Sequence, residues 1–137
     1  PGVYVERGGR EAKIAALGFC FGGSWVLEMA RSGADVAGVV TFHGGLDTDM
    51  PARPGMVKAP LLILNGADDK STAPDIAGFE KEMNDAGADW QFVNFSGAVH
   101  CFALETANSP PGCVYNERAA KRAYKMMDGF FDEIFGK

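Results

Sequence analysis

The sequence has no apolar run near the ~18 residues that a membrane-spanning helix needs. Its longest candidates, such as Ala59–Leu64, have the length of a buried strand. It has no excess of positive charge: 13 Lys and Arg stand against 18 Asp and Glu, a net charge of -5. That makes nucleic acid or an anionic membrane a poor partner. Only Arg118, Lys121, Arg122 and Lys125 cluster, at a spacing that reads as the wet face of a helix. Cysteine is scarce and odd in number, Cys20, Cys101 and Cys113, with no CxxC pair. A disulfide framework is therefore not expected, and a reducing cytoplasm is the expected compartment. No charged stretch followed by an apolar one opens the chain, so no secretory signal is visible. Repeats and low-complexity segments are absent too. What is present is 137 residues, 47% apolar and 23% charged, the composition of one ordinary globular domain spanning 1–137.

Along the chain, short apolar runs alternate with amphipathic stretches. Lys13–Leu17, Ala37–Phe42, Pro60–Leu64 and Trp90–Phe95 read as buried strands. Ser24–Arg31 reads as a helix closed by Gly33. Ala73–Ala86 reads as a second, with Ile76, Phe79 and Met83 on one face and Gly87 ending it. Tyr115–Phe135 is a long closing helix with Ala120, Ala123, Met127, Phe130 and Ile134 as its stripe. Trp25, Phe79 and Trp90 read as core. Residues 103–114 form a polar loop of the kind that borders sites. Strands alternating with helices imply an α/β fold with a predominantly parallel sheet flanked by helices.

One segment carries a chemical signal. Gly18-Phe19-Cys20-Phe21-Gly22-Gly23 lies between a predicted strand and a predicted helix, the setting of a nucleophile elbow. The turn is tight and its nucleophile strained, so side chains at Gly18 or Gly22 would collide with neighbouring backbone. Cys20 would head a helix, where the dipole favours a thiolate. A thiol needs a base, and the base an orienting group. The chain has only two histidines, His43 and His100, each after a strand, at the edge where α/β sheets build sites. Asp68 and Asp69 follow the third strand. The order nucleophile, acid, histidine points to His100 as base, with His43 packing or hydrogen-bonding beneath the site. Spacing does not decide between Asp68 and Asp69. Phe19 and Phe21 flank the nucleophile; both are candidates for an apolar acyl pocket, and Phe19 for packing under the turn.

Three segments together resemble the dienelactone hydrolase family of α/β-hydrolases: Ile14–Gly23 around Cys20, Leu61–Pro74 with its G-x-x-D pattern, and Phe95–Phe102 around His100. The closing helix fits as well. The resemblance implies the C-terminal part of an α/β-hydrolase fold and selects Asp69. It implies a Cys20–His100–Asp69 triad that hydrolyses a small ester or lactone through an acyl-enzyme, with the Phe21 backbone N–H as an oxyanion donor and without cofactor or metal. Dienelactone-active members carry an arginine four residues after the histidine; here that position is Leu104, which favours a neutral substrate. Cys101 stands where the family has a small residue.

Family members are longer, and the part with no counterpart here is N-terminal. Lys13–Leu17 would then lie at a sheet edge that must be covered. Val3–Val5 folding back, or pairing with a second chain as a homodimer, would do so. Loss of one oxyanion donor typically costs ~10²–10³ in turnover, so weak activity is expected. Three other readings follow from the residues. A glutamine amidotransferase would need His-x-Glu, which His100-Cys101-Phe102 does not supply. A metal site from Cys20, His100 and Cys101 conflicts with adjacent residues pointing opposite ways in extended chain. A dimeric binding or structural module without activity is the non-enzyme alternative.

Overall fold

The computed structural model describes the backbone of residues 3–7 and residues 13–136. The elements run β1 (Val3–Arg7), β2 (Lys13–Phe19), α1 (Phe21–Arg31), β3 (Gly38–Phe42), β4 (Leu61–Gly66), α2 (Ile76–Ala86), β5 (Trp90–Phe95), β6 (Asn108–Ser109), β7 (Cys113–Val114) and α3 (Glu117–Phe135). One sheet has the sequential order β1-β2-β3-β4-β5. β2 to β5 are parallel, and β1 is antiparallel to β2, with Val3 opposite Leu17 and Arg7 opposite Lys13. The edge exposed in the sequence reading is thus covered within the chain, by the first of the two expected routes.

Helices cover both faces because the strands are apolar on both. Leu17, Val40, Phe42, Leu62 and Leu64 face α3 with Ala119, Ala120, Ala123 and Phe131. Ala16, Val39, Leu61 and Ile63 face α1 and α2 with Val26, Leu27, Phe79 and Met83. Neighbouring strand residues divide between the two cores, as period-two alternation requires. α3 lies so close to β3 that a Cβ at Gly38 would come within 2.6 Å of the Ile134 side chain.

Two expectations are corrected. Trp25 is 55% exposed, beside Phe21 at 70%, because α1 turns Val26, Leu27 and Ala30 inward and leaves Trp25 outside. The polar loop 103–114 contains a small hairpin, β6 with β7. The basic residues Arg118, Lys121, Arg122 and Lys125 are all exposed, as their spacing suggested.

The charge that matters to the fold is Arg31, buried at 5% exposure. Its guanidinium donates to both Glu82 carboxylate oxygens at 2.8 and 3.0 Å, to Glu28 Oε1 at 2.8 Å and to the Leu46 carbonyl at 2.7 Å. Glu82 also accepts the Ala52 N–H at 2.8 Å. The pair ties α1 to α2 and holds the loop after β3. Removing one partner leaves an uncompensated buried charge. Arg31→Ala is expected to lower the unfolding free energy by about 3–5 kcal/mol in urea titration; a loss below ~1 kcal/mol, the worth of an exposed pair, would contradict this role.

Candidate active site

Cys20 stands where β2 ends and α1 begins, as the N-cap of the helix. Its backbone is held at φ 53°, ψ -120°, a conformation costly for a side-chain-bearing residue. The Cys20 N–H donates to the Phe42 carbonyl at 3.0 Å, and the Cys20 carbonyl accepts from the Ser24 N–H at 3.2 Å. The turn closes only because Gly18 lacks a side chain: a Cβ there would sit 2.1 Å from the Gly22 carbonyl oxygen. A second close approach, Gly23 against Gly44, seats the first turn of α1 against the loop that follows β3.

Strands β3, β4 and β5 deliver the remaining groups to the same end of the sheet. Asp69 follows β4 and is 4% exposed, whereas Asp68 is exposed. Asp69 Oδ1 accepts the Ser71 N–H at 3.0 Å and the Ser71 hydroxyl at 2.6 Å. That leaves Oδ2 for His100, whose Nδ1 lies 3.4 Å away. The structure thereby separates the two aspartates that spacing left equivalent. A His100 ring nitrogen, Cys20 Sγ and Cys101 Sγ all lie within 4.8 Å of one another. A cleft of about 530 Å³ opens on the Asp69–His100 side, walled by Val99, Pro111, Gly112, Lys70 and Ser71.

His43, expected to pack or hydrogen-bond beneath the site, lies against Cys20: its Nδ1 is 3.3 Å from Cys20 Sγ. It is fully buried, with its ring edge-on to His100 at 5.4 Å and to Phe102 at 5.1 Å. Burial first, then the neighbouring His100, pushes its pKa down from 6.5 to about 4, so it is neutral at physiological pH. The sequence signal was its place directly after a strand, parallel to that of His100. Cys20, His43 and Cys101 are the three non-glycine residues with positive φ among the described residues. Backbone strain of this kind concentrates at functional sites.

Phe21 is the first residue of α1, so its N–H is among the helix donors that have no intrahelical acceptor. Phe19 packs beneath the turn, its ring 4.6 Å from Phe42 and 6.1 Å from His43, which answers the question its sequence position left open. The Cys20 thiol differs from expectation: its pKa is raised, by burial first and then by the Asp69 charge. Both effects disfavour the thiolate.

The cysteine reading is also corrected. Cys101 and Cys113 are joined in a disulfide, and Cys20 is the free cysteine. Counting cysteines missed it because pairing depends on a fold, here the hairpin that returns Cys113 to the histidine loop. The geometric objection to grouping His100 with Cys101 falls as well. Cys101 adopts φ 67°, so the chain is not extended and both side chains reach Cys20. Bonded to Cys113, Cys101 offers no thiolate to a metal.

His43 gives the fold an acid weakness. Unfolded, it takes up a proton below about pH 6.5; folded, it resists until about pH 4. Its stabilising effect is complete above pH 6.5 and drains away as pH falls toward 4, by about 3 kcal/mol. Urea titrations at pH 7 and pH 4 are expected to show that loss, and His43→Gln to show a smaller one. Equal losses in both proteins would contradict the buried neutral imidazole.

Comparison with known proteins gives the family and the fold. A strained cysteine elbow, a histidine loop and a buried aspartate at one end of a parallel sheet define a chain of the α/β-hydrolase class. The chain belongs to the dienelactone hydrolase family, which matches residues 4–135. An uncharacterized Caenorhabditis elegans protein is 32% identical over 129 residues, covering 90% of this chain and 81% of that protein. A solved structure of a dienelactone hydrolase-like promiscuous phosphotriesterase from metagenomic libraries, P91, has a TM-score of 0.82 and 37% identity over 88% of this chain and 52% of its own. The solved structure m3DLH gives 0.82 and 36%, over 88% and 51%. This chain thus spans about half the length of these structural relatives.

Proposed function

We propose that this chain hydrolyses small neutral carboxylic esters or lactones through a thioester acyl-enzyme on Cys20. The observation that carries the reading is the line of groups from the buried Asp69 carboxylate through His100 Nδ1, 3.4 Å away, to a thiol at a strained helix start. The thiol rests neutral, so the imidazole must take its proton as sulfur attacks the carbonyl carbon. Asp69 would hold the ring and stabilise its charged form. The Phe21 N–H would donate to the oxygen as it becomes negative. His100 then returns the proton to the leaving alcohol and activates water to cleave the thioester. Val99, Pro111 and Gly112 give the adjoining cleft an apolar wall, and Leu104 replaces the arginine that would bind a substrate carboxylate. These features favour an uncharged acyl group.

The similarity to P91 supports a second reading, attack of the same thiol on a phosphotriester. The two are separated by assaying a short-chain p-nitrophenyl carboxylate beside a p-nitrophenyl phosphotriester. Turnover of the carboxylate supports the first reading. Turnover of the phosphotriester alone supports the second, and turnover of neither contradicts both. Assembly as a homodimer belongs to the same proposal, with the adjacent exposed Phe21 and Trp25 rings as its apolar contact.

A further inference from the structure

Three sulfur atoms gather beside the imidazole. Cys101 Sγ is bonded to Cys113 Sγ, and the free Cys20 Sγ lies 3.9 Å from Cys101 Sγ. A thiolate breaks a disulfide by attacking one of its sulfurs and expelling the other. The left-handed backbone at Cys101 turns its sulfur toward Cys20. Cys113, the leaving group, is half-buried on β7. Backbone hydrogen bonds also tie the hairpin end to the histidine loop, from the Val114 N–H to the His100 carbonyl at 3.2 Å and from the Asn116 N–H to the Phe102 carbonyl at 3.0 Å. These hydrogen bonds do not depend on the disulfide for their donors or acceptors.

We propose that Cys20 is a site of internal thiol–disulfide modification, with Cys101 exchanging between Cys113 and Cys20. Cys20 gives up its proton, and its electron pair forms the Cys20–Cys101 bond. The Cys101–Cys113 bond breaks, and its electron pair leaves on Cys113 as a thiolate, which takes up a proton. One disulfide and one thiol become one disulfide and one thiol, so no oxidant is consumed. In the exchanged form the nucleophile is masked and shielded from irreversible oxidation to sulfinic acid. Reverse exchange, or reduction by a dithiol, restores it.

The inference rests on Cys20 being a nucleophilic thiol, as the proposed hydrolysis does. Its test is read by mass, so a chain that forms an acyl-enzyme but no exchanged disulfide separates the two. The variant Cys113→Ser retains Cys20 and Cys101 only. After oxidation with glutathione disulfide and alkylation of remaining thiols, peptide mapping is expected to show a Cys20–Cys101 cross-link. Ester hydrolysis should fall in proportion to the cross-linked fraction and return with dithiothreitol. Cys113→Ala serves if circular dichroism shows that the serine variant is misfolded. In the unaltered chain, denaturing acid quench and mapping are expected to find a minor Cys20–Cys101 form, absent from Cys20→Ala. A folded Cys113 variant that carries only separate glutathione adducts or free thiols would overturn the proposal.

Discussion

Cys20→Ala and His100→Ala are each expected to lower kcat for a short-chain p-nitrophenyl ester by on the order of 10⁴–10⁶, with circular dichroism unchanged. The alanine at position 20 has no atom to form the acyl bond. The alanine at position 100 leaves the half-buried thiol, whose pKa is raised, without the base that the proposed reaction assigns to it. Because the two groups would act as a unit, the double variant should be scarcely slower than either single one. Asp69→Asn should cost about 10⁴, since the amide would favour the wrong imidazole tautomer. Its neighbour supplies the control: Asp68 is exposed, and Asp68→Asn should leave kcat within a few-fold. If Asp68→Asn were the damaging change, the assignment of the acid would be wrong.

Gly18→Ala is expected to be among the most destabilising single changes in the chain. The added carbon would lie 2.1 Å from the Gly22 carbonyl oxygen and 2.3 Å from its carbon. Both are backbone atoms of α1, so relief requires moving the helix off the sheet and the elbow with it. A cost of about 4–5 kcal/mol is expected, a large share of the ~5–15 kcal/mol that holds a domain together. Gly78→Ala is the contrast. That glycine lies exposed within α2 with nothing within 4 Å of the added carbon, and alanine there should stabilise by about 0.5–1 kcal/mol. Urea midpoints of the two variants against the parent measure both. Equal effects would contradict the close approach at the elbow.

The parallel core was legible because β3 and β4 are apolar runs with glycine or proline at their ends, Gly38 and Gly44, Pro60 and Gly66. Trp90–Phe95 matches in both bounds, and the glycine after α2 takes the left-handed conformation expected of a C-cap. α1 begins three residues earlier than its apolar pattern suggested, because Cys20 itself caps the helix and the glycines continue it. The elbow was legible because steric need leaves a local mark, glycines at fixed spacing. The arrangement around it was not. The contact of His43 with Cys20 and the pairing of Cys101 with Cys113 depend on where distant strands end, and spacing alone left Asp68 and Asp69 equivalent, the family pattern being what selected Asp69. The buried Arg31 was hidden for a similar reason: its acceptors Glu82 and Leu46 lie on other elements.

The central claim is that Cys20 is the atom that carries the acyl group. The most direct measurement is the mass of the intact protein, and then of its peptides, quenched in acid after brief mixing with an activated acetate ester. The proposed reaction predicts one added acetyl group on the peptide that contains Cys20, accumulating in the parent and absent from Cys20→Ala. An unmodified parent that nevertheless turns over the ester, or an acetyl group confined to a lysine or to another residue, would contradict it.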